Sequence, residues 1–174
     1  MTTGDYGILM IRVVLGAIML MHAGNHWFGG GKIAGTARWF ESLGLRPGPV
    51  HAWSSVVCEF VAGGGLILGL FTPLACAAGV GTMVVAGVVA HRPHGFFIFR
   101  DGYEYVLLIA ATALGITLVG PGRISLDHAF DVVISGGVGF TLAAIGGIGG
   151  ATLLLAVAWR PNAVRSAASA PADI

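Results

Sequence analysis

The side chains best suited to chemistry in this sequence stand inside long apolar runs. His22, Asn25 and His26 follow the spacing i, i+3 and i+4, which places them on one face of a helix. Glu59 lies within the next apolar run. A histidine close to a carboxylate can take up and release protons near neutral pH, which suits acid–base chemistry and proton-coupled redox steps. We therefore expect these residues to face a common site.

Further polar groups are predicted at the same depth. His91 ends the third apolar run, and Tyr103 and Glu104 begin the fourth. If successive runs cross in alternating directions, all these positions fall opposite the N-terminal side, under two long loops at 29–50 and 92–102. We therefore predict a polar pocket there. Its predicted catalytic, proton-handling residues are Glu59, Glu104 and His26. Its predicted cofactor-binding residues are His22, Asn25, His91 and Tyr103.

Three interpretations of this pocket stay open on the sequence alone. It could bind a quinone headgroup or relay protons, it could be a hydrogen-bond network that only locks helices together, or it could hold a metal or haem. Two histidines at i and i+4 beside two carboxylates can ligate a metal. The sequence has no HExxH or Glu-x-x-His motif, however. We assign no metal ligand and take a quinone as the candidate cofactor.

Other charged and polar residues are given structural roles. Arg12 lies in the first apolar run, toward the N-terminal side, and Asp127 lies in a loop on that side. We predict a structural ion pair between Arg12 and Asp127, which would cost about 3–5 kcal/mol to break from one partner. His51, His94 and His128 lie near predicted helix ends and are expected to be solvated.

Five apolar runs supply the elements that position these residues. Charged residues make up only 10% of the chain and apolar residues 56%, too few charges to cover a soluble surface. Each run approaches the roughly 20 residues that a membrane span requires. The predicted fold class is an all-α membrane protein, a four-helix transmembrane bundle plus a fifth C-terminal transmembrane helix. The runs cover residues 6–28, 51–70, 73–91, 103–120 and 136–159.

The runs divide the chain into three predicted parts. Residues 1–130 form the four-helix bundle, residues 131–160 the additional helix, and residues 161–174 an Ala/Ser/Pro-rich disordered tail. A short helix at 36–43 is predicted to lie at the membrane interface, because it mixes aromatic and charged residues at helical spacing. Four tryptophans are expected to anchor the chain at the interfaces: Trp27, Trp39, Trp53 and Trp159.

Charge and small residues indicate topology and partners. We call the side that holds the N-terminus side A and the opposite side B. Most of the nine Lys and Arg residues fall on side B, so the positive-inside rule places loops 29–50 and 92–102 in the cytoplasm and the N-terminus outside. A net charge of +1 without a basic stripe excludes nucleic acid and leaves membrane lipid as a partner.

Small residues recur every four positions along the fifth run. They are Gly139, Ala143, Gly147 and Ala151. Small residues allow helices to approach closely in a membrane, where lipid provides no hydrophobic drive between them. This stripe predicts either packing within the chain or docking of another subunit or a second copy.

Several motifs together resemble the DoxX family of small bacterial membrane proteins. They are Met21-His-Ala-Gly-Asn-His-Trp-Phe-Gly-Gly-Gly31, Glu59-Phe-Val-Ala-Gly-Gly-Gly65, Gly102-Tyr-Glu-Tyr105 and Gly120-Pro-Gly122 with Ser125-Leu-Asp127. The resemblance covers roughly residues 8–130. It implies four core helices and a bacterial plasma membrane location. The family has Arg, Glu, Glu and Asp at the positions of Arg12, Glu59, Glu104 and Asp127.

The resemblance also implies a function, with one departure from the family pattern. Many relatives have His-Gly-x-x-Lys where this chain has His22-Ala-Gly-Asn-His26, so a histidine replaces the lysine. Name-giving relatives belong to a thiosulfate:quinone oxidoreductase, and others are linked to oxidative-stress complexes. The implied function is an integral membrane subunit of a quinone-linked oxidoreductase system. The alternative is a non-enzymatic scaffold of a larger complex, whose fifth helix docks a partner.

Overall fold

The chain folds as a bundle of helices. The computed structural model describes residues 1–161, so nearly all of the predicted tail lies outside the described residues. Within that range the regular structure is helical and contains no β-strand, which confirms the predicted all-α membrane fold. The helices are α1 (Thr3–Phe28), α2 (Lys32–Ser42), α3 (Gly48–Leu68), α4 (Thr72–Ala86), α5 (Glu104–Val119), α6 (Leu126–Ala129) and α7 (Gly136–Ala158).

Each predicted apolar run corresponds to a helix, although their lengths differ. Four helices in the described part of the chain are long and apolar enough to cross a membrane. They are α1, α3, α7, and α4 together with its continuation. Helix α5 is apolar but has only 16 residues, so it spans about 24 Å of a hydrocarbon core that is about 30 Å thick. Helix α3 begins at Gly48, earlier than predicted, because Pro49 in its first turn is already fixed at a helical φ.

Two helices contain π-helical turns. Helix α4 continues as the π-helical segment Gly87–His91, and the middle of α7, Ile145–Gly149, is π-helical as well. A π turn inserts one extra residue into the helix, which locally widens it and rotates the side chains that follow. Both turns border the cavity described below.

Helix α4 occupies the middle of the bundle and packs against α3, α5 and α7. Helix α1 packs mainly on α3. Their backbones meet at Gly16 and Gly63, where a Cβ on either residue would lie within 2.7 Å of the other's carbonyl oxygen. Small residues at this crossing allow a contact that no larger side chain would permit. The α1–α3 pair therefore holds the polar face of α1 against α3.

The small-residue stripe of α7 packs inside this chain. An added Cβ at Gly147 would lie 2.8 Å from the Ala77 carbonyl oxygen, and one at Gly139 would lie 3.0 Å from that of Thr117. Ala143 is fully buried in the main core. Of the two interpretations of this stripe, the structure shows the internal packing, against α4 and α5.

The C-terminal end of α7 is fastened to the loop between α2 and α3. The Trp159 indole donates a hydrogen bond to the Leu43 carbonyl oxygen at 2.9 Å. The Arg46 amide donates to the Ala158 carbonyl at 3.1 Å, and the Arg160 amide to the Gly44 carbonyl at 2.8 Å. These bonds hold the end of α7 against the bundle on side B.

Arg12 and Asp127 do not form the predicted ion pair. Arg12 is fully buried, and its two terminal nitrogens donate to the Leu66 carbonyl at 3.3 Å and the Ile124 carbonyl at 2.5 Å. Asp127 accepts from the Phe71 amide at 2.6 Å, the Thr72 amide at 2.9 Å and the Thr72 hydroxyl at 2.6 Å. No nitrogen of Arg12 is within salt-bridge distance of Asp127 in the described part of the chain.

Helix ends explain why that prediction is wrong. The last carbonyls of a helix and its first amides lack partners within the helix. Leu66 lies in the last turn of α3, so its carbonyl attracts the guanidinium, while the first amides of α4 attract the carboxylate. Gly69, at a φ of +61°, brings the connecting turn so close to Arg12 that a side chain there would collide with the guanidinium. The side-A cluster (Arg12, Gly69, Thr72 and Asp127) is therefore a structural lock.

Candidate functional site

A cavity of about 870 Å³ lies in the side-B half of the bundle and extends along α4. Its walls come from α1, α3, α4, α5 and α7, and α2 covers it from side B. Most of its surface is apolar. Polar side chains gather near its side-B end, and they include His22, Asn25, His26, His51, Ser55, Glu59, His91 and Tyr105. The volume is in the range of pockets that hold a small organic ligand.

Three polar residues form a chain of contacts in this cavity. The Ser55 hydroxyl donates to Glu59 Oε1 at 3.2 Å. Since that bond uses the single hydroxyl proton, His26 Nδ1 donates to Ser55 Oγ, at 3.1 Å. His26 Nδ1 also lies 3.5 Å from Glu59 Oε2. Ser55 and Glu59 are one helical turn apart on α3, and His26 reaches them from α1, so both helices are needed to build the triad.

Glu59 carries an unused acceptor. Its side chain is only 2% exposed, and its Oε2 has no hydrogen-bond partner among the described residues. A buried polar atom without a partner costs free energy, and a buried carboxylate oxygen costs more than a neutral group. Because Glu59 lines the cavity, the missing partner can be a proton or the donor group of a ligand.

Helix α2 fixes the position of His26. The Thr36 hydroxyl donates to the His26 carbonyl oxygen at 2.8 Å. The imidazole meets the Phe40 ring edge-on at 5.8 Å and the Trp39 ring at 6.2 Å between centroids. These contacts hold the imidazole at the roof of the cavity, with its side chain 16% exposed.

The other predicted ligand-binding residues of α1 and α4 also line the cavity. His22 packs near Tyr105, at 6.2 Å between ring centroids, and Asn25 lies one turn closer to side B. His91 closes the π-helical end of α4, and its Nδ1 donates to the Asp101 carbonyl oxygen at 2.7 Å. The imidazole Nε2 of His91 is thereby left as the ring nitrogen for other partners.

Two predicted pocket residues lie outside the cavity. The Glu104 carboxylate accepts a hydrogen bond from the Ile98 amide at 3.0 Å, so it orders the loop before α5. Tyr103 packs its ring edge-on against Phe96, at 5.5 Å between centroids. The structure thus corrects the placement of both residues. They lie at the start of α5, where the loop bends back over them, and Tyr105 faces the cavity instead.

The histidines near helix ends behave differently from one another. His94 and His128 are exposed, as predicted. His51 is buried, its Nε2 lies 3.2 Å from the Arg46 carbonyl oxygen, and it lines the cavity. The prediction that His51 is solvated is therefore wrong. The reason is the earlier start of α3 at Gly48, which places His51 within the helix and beneath α2 rather than at its first residue.

Sequence reasoning missed several residues of this site. Ser55 precedes Glu59 by four positions, and that spacing on a helix is the signal that could have found it. Tyr105 lies within the motif that was used for Tyr103 and Glu104. Nothing in the sequence indicated that α7 would form a wall of the cavity. Within residues 1–161, no group of three or more His, Cys, Asp and Glu side chains is placed to hold a metal.

Comparison with protein families gives one match. Residues 7–92 match the family model described as DoxX. The match begins in α1 and ends after the π-helical segment of α4, so it includes His26, Ser55 and Glu59 but not Tyr105 or α7. The match is shorter than the resemblance seen in the sequence motifs, which covers roughly residues 8–130. No curated protein and no solved structure matches the chain.

Proposed function

The chain belongs to the DoxX family, and from that premise we propose that it is the integral membrane subunit of a quinone-linked oxidoreductase system. Its cavity binds the quinone headgroup and exchanges protons with it. The observation that carries this proposal is Glu59, a residue that lines the cavity and whose buried Oε2 has no hydrogen-bond partner among the described residues. The family match and the apolar helices support a multi-pass membrane protein, and we place it in the bacterial plasma membrane.

The residues of the cavity fit such a ligand in charge and shape. A quinone couples two electrons to two protons, and its reduced form carries hydroxyl donors on a flat apolar ring. Glu59 Oε2 can accept a hydrogen bond from one hydroxyl. His22, with Tyr105 beside it, also lines the cavity and is a partner for a second oxygen. The apolar remainder of the cavity suits the ring.

The triad provides a route for the proton. Glu59 takes or gives the proton at Oε2, and the Ser55 hydroxyl joins Oε1 to His26 Nδ1. His26 lies at the roof, under α2, so it connects the buried carboxylate with the side-B surface. With side B toward the cytoplasm, this proton would come from or go to the cytoplasm. The electrons pass to or from a redox centre on a partner protein.

Glu59→Gln tests the proposal, with Glu104→Gln as the matched control. Purified full-length protein is titrated with decylubiquinol, the reduced quinone with a ten-carbon tail, and tryptophan quenching is followed because Trp39 lines the cavity. Removal of a charged acceptor should raise the Kd of Glu59→Gln by about tenfold or more. Glu104→Gln should bind like wild type, because Glu104 lies outside the cavity. Equal binding by all three proteins, or none by wild type, would reject the proposal.

The scaffold alternative receives less support from the structure. The small-residue stripe, for which docking of a partner was one of two predicted roles, is occupied by α4 and α5. A partner subunit would therefore have to use another surface, such as the lipid-facing side of α7. Purification in mild detergent with mass spectrometry separates the two functions. A co-purifying partner with bound quinone supports the oxidoreductase subunit, and a partner without quinone supports the scaffold.

A further inference from the structure

The cavity does not end at its polar groups. It continues along α4 toward side A, with lining residues from His91 at one end to Leu74 at the other. We propose that this extension is a groove for the isoprenoid tail of the quinone, and that α7 is its outer wall. This inference rests on the proposed function, because it concerns the rest of the same ligand.

The floor of the groove is a face of α4. Leu74, Ala78, Gly81 and Val85 are spaced three or four residues apart, so they line up along one side of the helix. From Leu74 to His91 the floor is about 25 Å long at 1.5 Å per residue. That length covers most of a hydrocarbon core about 30 Å thick. This length covers the polar end and the apolar extension together, so it matches a ligand with a ring and a tail that lies along the membrane normal, and a headgroup alone would not fill it.

The walls of the groove open toward the membrane. On one side stands α3, with Ser54 exposed at the rim, and on the other stands α7. Helix α7 lies close to α4 at its π turn, where a Cβ on Gly146 would be 3.3 Å from Ala77 Cβ. One turn later, a Cβ on Gly150 would have no atom within 4 Å, although Gly150 lines the cavity. Gly150 is also exposed, so the cavity opens to the outside of the bundle there, which gives lateral access from the bilayer.

Two independent observations meet in this cavity. The apolar groove and Glu59, whose Oε2 has no partner among the described residues, line one continuous cavity. A ligand that satisfies both has a polar end with a hydrogen-bond donor and a long apolar end. An ordinary acyl chain would fill the groove but leave the carboxylate oxygen without a partner. The geometry therefore favours a tailed quinol over a fatty chain.

The glycines of α7 offer a matched pair for the test. Gly150 lines the cavity, whereas its neighbour Gly149 does not, and an added Cβ at either position meets nothing within 4 Å. Leucine at either position also favours helix more than glycine does, so both variants should fold. Elution of each variant as a single peak on size exclusion verifies this.

Binding of two quinols is compared in wild type, Gly150→Leu and Gly149→Leu, all as the full chain in lipid nanodiscs. One probe is decylubiquinol, and the other is a ubiquinol with a single isoprene unit. Gly150→Leu should raise the Kd of decylubiquinol by about tenfold, the effect of displacing roughly two methylene groups. It should leave the Kd of the short probe unchanged, and Gly149→Leu should change neither.

Each contrary outcome has a distinct meaning. If wild type binds both quinols and Gly150→Leu affects them equally or not at all, the tail groove is rejected and the headgroup site stands. If wild type binds neither quinol, the proposed function falls together with the groove. If decanol, which has the tail without the ring, competes as well as decylubiquinol, the groove holds any acyl chain and its assignment to a quinone is rejected.

Discussion

The two ends of the bundle bury charged groups in opposite ways. On side A, Asp127 receives three hydrogen bonds from the start of α4, and Arg12 donates to two carbonyls. Arg12 Nε has no partner among the described residues, but Arg12 lines no part of the cavity. On side B, Glu59 has one carboxylate oxygen without a hydrogen-bond partner among the described residues, and Glu59 lines a cavity of about 870 Å³. Burial alone therefore does not distinguish a lock from a binding site; an unpartnered acceptor on a cavity-lining residue does.

The largest expected effect concerns the side-A lock. Asp127→Ala removes the acceptor of three hydrogen bonds and leaves their donors at Phe71 and Thr72 without it, so it should lower the free energy of unfolding by about 3–5 kcal/mol. Thermal unfolding in detergent measures this loss. The control is His128→Ala, next to it in sequence but exposed, which should unfold like wild type. A melting temperature for Asp127→Ala within about a degree of wild type, set against the expected several degrees, would mean that the side-A cluster is not a lock.

Glu59→Gln should have the opposite effect on stability from Asp127→Ala. The neutral amide removes the cost of a buried, unsatisfied carboxylate oxygen, so the variant should melt at or above the wild-type temperature even though it binds decylubiquinol less tightly. Such a gain in stability with a loss of binding is typical of a functional site. The same unfolding assay decides the point. If Glu59→Gln melts well below wild type, Glu59 belongs to a structural network, and the difference between the two ends disappears.

A smaller effect is expected at Ser55. Ser55→Ala breaks the connection between Glu59 and His26 but leaves the open Glu59 oxygen in place. It should cost about 1 kcal/mol of stability and change the Kd of decylubiquinol less than Glu59→Gln does. Ser54→Ala, on the groove rim, serves as the control. A Ser55→Ala variant that loses binding as completely as Glu59→Gln would place the ligand on Ser55 itself.

The sequence was most informative where one physical rule dominates. In a bilayer each backbone polar group must be hydrogen-bonded within its own helix, so apolar runs of sufficient length form helices. All five predicted apolar runs are helical in the structure. The spacing of His22, Asn25 and His26 also gave the correct face of α1, because helical periodicity leaves little choice. Glu59 followed from the cost of burying a carboxylate.

Sequence reasoning failed where contacts depend on how elements meet. Arg12 and Asp127 were paired by charge, but the free backbone groups at the ends of α3 and α4 satisfy them better. Glu104 was assigned to the pocket, yet the loop that folds back over α5 uses its carboxylate. The α7 wall depends on how two helices pack around a π turn, and no local pattern in the sequence encodes that packing.

The most direct measurement is photolabelling of the full-length protein in lipid vesicles with an azido-ubiquinone, followed by peptide mass spectrometry. If the cavity binds a quinone, labels are expected around residues 22–26 and 54–59, displaced by excess decylubiquinone and weakened in Glu59→Gln. Labels confined to the lipid-facing surfaces, or labels that excess quinone does not displace, would contradict the account. The cavity beside Glu59 would then not be a quinone site.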